Sequence, residues 1–165
     1  MELILGGAQI ADSDGISNKK KEINSEDLEK ILNYKNKIKI IDTANSYKGS
    51  LEKISKLYKD FDIKINLKIN IGNGSKLSKK FFERLNKSFS KLKKKKIYSI
   101  MVHDTNNFLN LYAKEKVKIL NYLKKLKKQK KIEKFGFSIY NTNELDYICK
   151  IVGFDIIQFP GNIFD

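Results

Sequence analysis

The sequence predicts an α/β chain, an incomplete TIM (βα)8 barrel of about six parallel strands with flanking helices. Three observations predict it. Six apolar runs rich in Ile, Val, Phe and Tyr recur at intervals of roughly 20 to 40 residues, the size of one strand-plus-helix unit. Amphipathic stretches with helical spacing lie between them. Polar residues follow several different strands, whereas an open doubly wound sheet would want one glycine-rich phosphate loop after the first. Gly6-Gly7-Ala8-Gln9 does not have that spacing.

Leu3-Ile4-Leu5 reads as the first strand. Ser25, ahead of Glu26 and Asp27, favours a helix start, and Leu28, Ile31 and Leu32 form its apolar stripe. Ile38 to Ile41 is the second strand, followed by a helix marked by Leu51, Ile54 and Leu57 or Tyr58. Ile63 to Ile69 is the third, and Phe81, Leu85, Phe89 and Leu92 give the clearest helical spacing. Ile97 to Val102 is the fourth, with Leu120, Leu123 and Leu126 on the next helix. Lys134 to Ile139 is the fifth. A helix capped by Thr142 or Asn143 follows, with Leu145, Ile148, Cys149 and Val152 on its stripe and Cys149 expected in the core. Phe154 to Phe159 is the sixth, ended by Pro160. Strict alternation implies a parallel sheet with right-handed crossovers.

The 165 residues suit a single domain over positions 1–165, and 41% apolar content supplies a core. No apolar run reaches the roughly 20 residues of a membrane span, and the N-terminus has no signal-peptide pattern. A single cysteine excludes an internal disulfide and fits a reducing, cytoplasmic setting. One His and one Cys speak against a structural zinc site, so no metal is expected. The net charge of +15 comes from lysine, with Arg84 the one arginine among 34 basic residues. Readers of nucleic acid rely on the planar arginine fork, so no specific nucleic-acid binding is expected, only salt-sensitive adhesion to polyanions. The runs Lys93 to Lys96 and Lys124 to Lys131 precede the fourth and fifth strands, on the rim opposite the polar residues, and read as a solvated face.

Those polar residues are Asp42, Tyr47, Lys68 and His103. Each lies at or near the end of a strand, which puts an acid, a phenol, an amine and an imidazole on one barrel rim. The set suggests proton transfer to a carbonyl oxygen. Singly, each has a plainer reading: Asp42-Thr43 capping a turn, Tyr47 packing, Lys68 one lysine among many, His103 a structural residue.

In order along the chain, these segments resemble the aldo-keto reductases of bacterial type, NAD(P)-dependent carbonyl reductases with a (βα)8 barrel. Gly6 to Gln9 with Gly15-Ile16-Ser17-Asn18 resembles the family's first strand and loop. Asp42-Thr43-Ala44-Asn45-Ser46-Tyr47, then Glu52, is similar to its Asp-Thr-Ala…Tyr signature. Ile65-Asn66-Leu67-Lys68 and Ile100-Met101-Val102-His103-Asp104 resemble its lysine and histidine strands. Lys131 to Ser138 resembles its fifth-strand signature, and Gln158 to Asp165 its sixth. The resemblance implies reduction of an aldehyde or ketone, a small-molecule carbonyl substrate, with NADP or NAD as cofactor. Tyr47 would be the general acid. A phenol is a weak acid near neutrality and a nearby ammonium favours its ionised form, the task implied for Lys68. Asp42 would hold Lys68 charged, and His103 would orient the substrate carbonyl. Ser138 and Gln158, with Asp42 beside them, would hold the nicotinamide end of the cofactor.

Two departures stand out. Ile139 follows Ser138 where many family members have Asn, with Asn141 further on, so the second carboxamide contact is open. The six units also stop short of strands seven and eight, where the family stacks an aromatic on the nicotinamide and binds the cofactor's phosphates. Such a chain is expected to be an incomplete gene product, one part of a split barrel, or a short protein that has lost activity. The alternative function is therefore a non-catalytic truncated barrel or interaction module, pairing through open sheet edges with itself or with a completing chain. A Schiff-base enzyme using Lys68 as nucleophile is disfavoured, because Asp42 should keep Lys68 charged.

Overall fold

The structure, a computed structural model, describes residues 3–10, 23–34, 38–57, 62–93, 97–150 and 153–161. Six strands form one sheet in chain order: β1 (Leu3–Gly6), β2 (Ile38–Ala44), β3 (Lys64–Ile69), β4 (Ile97–Val102), β5 (Ile132–Ser138) and β6 (Ile156–Gln158). Every neighbouring pair is parallel. The helices are α1 (Ser25–Asn33), α2 (Ser50–Leu57), α3 (Phe81–Leu92), α4 (Thr105–Leu109), α5 (Ala113–Lys128) and α6 (Thr142–Cys149). The sheet curls with its helices outside, as an incomplete TIM barrel does.

Period-two alternation sorts the strand residues onto two faces. Ile41, Ile65, Leu67, Ile100, Phe135 and Phe137 point outward into one cluster with Leu28, Leu51, Ile54, Leu85, Leu123 and Ile148 of the helices. The opposite face carries Asp42, Asn66, Lys68 and Gln158, joined to one another by side-chain hydrogen bonds. Full burial of one large apolar side chain contributes about 1.5–3 kcal/mol, so the outer cluster is the main support of the sheet. Two glycines let backbones approach closely. A Cβ on Gly136 would stand 1.8 Å from the Ile156 carbonyl oxygen, and one on Gly7 would stand 2.7 Å from that of Asp42.

Several boundaries differ from the sequence expectation. β2 extends to Ala44, so Asp42 lies inside a strand. β5 begins at Ile132 and ends at Ser138. β6 is three residues long; Phe154 precedes it and packs edge-on against Phe137, and Phe159 after it is exposed. The caps sit one or more residues earlier than expected. Asn24, not Ser25, caps α1 by accepting from Asp27 N, because the cap residue must stay extended. Asn141, not Thr142 or Asn143, caps α6 by accepting from Glu144 N. The short helix α4 was not foreseen; Asp104 starts it by accepting from Asn107 N.

Cys149 is exposed rather than in the core. Ile148 takes the buried position, and Glu144 is buried because its carboxylate accepts from Tyr140 N at 2.6 Å. Tyr58, Val152, Gly15 to Asn18, Lys94 to Lys96 and Asn162 to Asp165 lie outside the described residues. The lysines of the last turns of α5 and of the link to β5 stand at the rim opposite His103, and Lys127 pairs there with Asp155. No helix among the described residues is long and apolar enough to cross a membrane.

Candidate active site

Asp42 is the hub. The β2–β3 register sets it beside Asn66, and sets Ala44 beside Lys68. Its Oδ1 accepts from Asn66 Nδ2 at 3.1 Å. Its Oδ2 accepts from Lys68 Nζ at 2.8 Å and from Gln158 Nε2 at 3.3 Å. Asp42 and Lys68 are each 8% exposed, so this ion pair is screened little by water. Burial pushes the Lys68 ammonium down, but hydrogen bonding and attraction to Asp42, helped by the Tyr47 phenol, outweigh it and hold Lys68 above its ordinary value. Lys68 is therefore a fixed positive charge at neutral pH.

Tyr47 stands on the turn after β2. Its own N–H donates to the Ala44 carbonyl at 3.2 Å, and Asn45 N donates across to the Lys68 carbonyl at 3.0 Å. The foot of α2 is pinned from beneath: Ser50 Oγ donates to the Gly7 carbonyl and lies 3.0 Å from Thr43 Oγ1. The Tyr47 ring meets the His103 ring edge-on with centroids 5.9 Å apart, and Lys68 Nζ lies 5.6 Å from the Tyr47 centroid. His103 follows β4, its N–H donating to the Ile69 carbonyl at 3.1 Å. Burial, reinforced by the Lys68 charge, lowers the imidazole below its ordinary value, against the weaker pull of Asp42 and Asp104. The ring is thus neutral near pH 7 and can donate one hydrogen bond while accepting another.

Ser138 and Gln158 are paired in register at the ends of β5 and β6. Ser138 is buried, and its carbonyl accepts from Thr105 Oγ1 at 2.7 Å. The Asp42 carboxylate decides the Gln158 amide orientation, since only the NH2 end can face it. Among the described residues, the buried Gln158 Oε1 has no hydrogen-bond partner, and neither has Asn66 Oδ1. Asn141 caps α6 through its side-chain oxygen, which accepts from Glu144 N at 2.9 Å.

The Aldo/keto reductase family model matches residues 2–165. The chain belongs to the aldo/keto reductase family. No curated protein matches it. Among solved structures, it is similar to an aldo-keto reductase of Pseudomonas aeruginosa at 20% identity and a TM-score of 0.77, covering 98% of this chain and 64% of that one. An aldo-keto reductase of Bacillus halodurans in its holo form matches at 19% identity and a TM-score of 0.66, covering 96% and 52%. One from Bombyx mori in complex with NADP matches at 12% identity and a TM-score of 0.64, covering 95% and 53%. This aldo/keto reductase chain thus spans between about half and two thirds of the length of these relatives.

The structure brings Asp42, Tyr47, Lys68 and His103 together and adds Gln158 to them. Sequence reasoning missed Asn66, Thr105 and Gly136. Asn66 had a signal, since it lies two residues before Lys68 and so shares its face. Thr105 had none, because its contact with Ser138 joins segments 33 residues apart.

Proposed function

We propose that this aldo/keto reductase chain carries the proton-transfer half of an NAD(P)H-dependent carbonyl reductase, reducing an aldehyde or ketone. The observation that carries the reading is the buried Asp42–Lys68 pair with the Tyr47 phenol and a neutral His103 beside it. Tyr47 gives its proton to the carbonyl oxygen of the substrate as that oxygen gains charge. Lys68, kept charged by Asp42, stabilises the phenolate that remains. His103, neutral, donates to the same oxygen and fixes the carbonyl's angle.

The cofactor side is supported by the orphaned, buried Gln158 Oε1, an acceptor suited to the NH2 of a carboxamide. Ser138 and Gln158 would hold that end of NADP or NAD, with Asp42 fixing Gln158. When bound, the cofactor supplies a hydride to the carbonyl carbon.

The test is carbonyl-dependent oxidation of NADPH and NADH by the chain joined to two further βα units taken from the Pseudomonas aeruginosa relative. Turnover is expected, with Tyr47→Phe reducing kcat by roughly 100-fold or more. Unchanged turnover in Tyr47→Phe, or none in a well-folded fusion across a broad carbonyl panel, overturns the mechanism.

A second reading, a non-catalytic module that associates through its outer strands, is favoured by one observation. Leu3 and Ile4 on β1 are 44% and 52% exposed, and Phe159 after β6 is 68% exposed. Light scattering after size-exclusion chromatography decides it: a dimer supports the reading, and a folded monomer up to high concentration sinks it.

A further inference from the structure

A groove of about 550 Å³ lies outside the sheet, between α2 and α3, and the catalytic reading makes no use of it. Arg84, Lys87 and Lys91 of α3 line one wall at helical spacing of three and four residues. Asn45 and Ser46, just before Tyr47, and Asn70 and Asn73 after β3 close its top.

The wall is built of donors. Asn45 Oδ1 accepts from Asn70 N at 3.1 Å, and Asn70 Oδ1 accepts from Gly72 N at 2.7 Å. Both amides therefore have their acceptor ends committed and their NH2 ends left over. Among the described residues, neither the Arg84 guanidinium nor the Lys87 ammonium has an ion pair. Glu52, the acid of α2 facing α3, is taken by Lys91 at 2.7 Å and does not line the groove. Two cations without a direct ion pair and two amide donors line the space; the Glu52 carboxylate, which also feels the Lys87 charge, stands beside it but outside its lining.

The one arginine of the chain adds to this. Where lysine serves every other Lys/Arg position, a planar fork stands at this wall, and such a fork suits bidentate contact with an oxyanion. The volume falls within the roughly 300–1,000 Å³ of small-molecule sites, more than a bare oxyanion fills.

We propose that the α2–α3 groove binds the phosphate group of a small phosphate ester, with Arg84 and Lys87 as its cationic ligands and the Asn45 and Asn70 amides completing the cradle. The occupant touches the turn that ends in Tyr47, but the test reads binding and needs no turnover. The site thus stands or falls separately from the reductase reading.

The experiment is calorimetric titration of the 165-residue chain with glycerol 3-phosphate, inorganic phosphate and acetate, in about 150 mM NaCl so that diffuse attraction to the basic surface is screened. One saturable site for the ester is expected, weakened about tenfold or more by Arg84→Gln with Lys87→Gln. The double variant Lys125→Gln with Lys128→Gln removes the same charge at the far rim and should change binding less than about twofold. Amide resonances of Asn45, Ser46 and Asn70 should shift on titration. The substituted side chains are exposed, so folding should be unaffected, as far-UV circular dichroism will show. Equal losses in the two double variants, shifts confined to the lysine-rich rim, or no saturation overturns the site. Acetate or inorganic phosphate binding as tightly as the ester overturns the ester assignment.

Discussion

Asn66 holds Asp42 from the side that Lys68 does not, donating to Oδ1 at 3.1 Å while the ammonium takes Oδ2. The carboxylate is thereby oriented by a neutral donor before any charge is considered. Asn66→Ala should cost about 1–3 kcal/mol, the penalty for loosening a buried carboxylate that keeps its other partners.

Lys68→Met should cost more, about 3–5 kcal/mol, because it leaves a buried carboxylate without its countercharge. The difference is also pH-dependent. Lys68 is raised above its ordinary 10.5, so its contribution is fully present below that value and is lost as pH rises through the folded value. Urea unfolding of both forms should show the gap at pH 7 and its narrowing in strong alkali. Equal stabilities at pH 7 would remove the pair's structural role.

His103 titrates in the opposite sense. Its folded value lies below the ordinary 6.5, so the unfolded chain takes up a proton first on acidification. The contribution is present above 6.5 and is lost as pH falls through the folded value. His103→Gln should therefore flatten the decline in stability between neutral and mildly acid pH, measured by urea midpoints at several pH values. An unchanged slope would mean the imidazole is not held neutral.

Gly136→Ala should dislodge β6. The added methyl group would stand 1.8 Å from the Ile156 carbonyl oxygen, which cannot move without breaking its strand pairing. A loss of several kcal/mol, or failure to fold, is expected, since overpacking against backbone exceeds the usual 1–3 kcal/mol of side-chain overpacking. Hydrogen exchange in β5 and β6 reads the effect directly, and a variant with wild-type protection there would contradict the close approach.

Asn141 and Ser138 can be told apart. Asn141→Ala removes a helix cap and should cost about 1 kcal/mol while leaving NAD(P)H affinity alone. Ser138→Ala should weaken NAD(P)H binding in the fusion described above, read by fluorescence titration. The reverse outcome would give Asn141 the cofactor role.

The six strands and five of the six helices were legible in the sequence because apolar periodicity is strong and the units repeat. The edges of elements were less so. Helical spacing around Ile148 and Cys149 fits either residue facing inward, and the structure turns Ile148 into the core while Glu144 bonds the Tyr140 backbone. Asn24 and Ser25 are both good caps, and geometry rather than composition selects the first. In the candidate site, residues at strand ends could be found by pattern. Asn66 and Thr105 could not be given roles, because those depend on which strands become neighbours and on the register between them.

Each strand pairs with the one made just before it, so the sheet can lengthen in step with synthesis, one unit at a time, as the ribosome releases the chain. Asp42 then acquires its partners in a fixed historical order. Asn66 and Lys68 arrive with β3, within 26 residues of it, while Gln158 comes 116 residues later, with the last described strand. A nascent chain would hold its charged pair long before Gln158 reaches it, and would stay chemically half-dressed until β6 had docked.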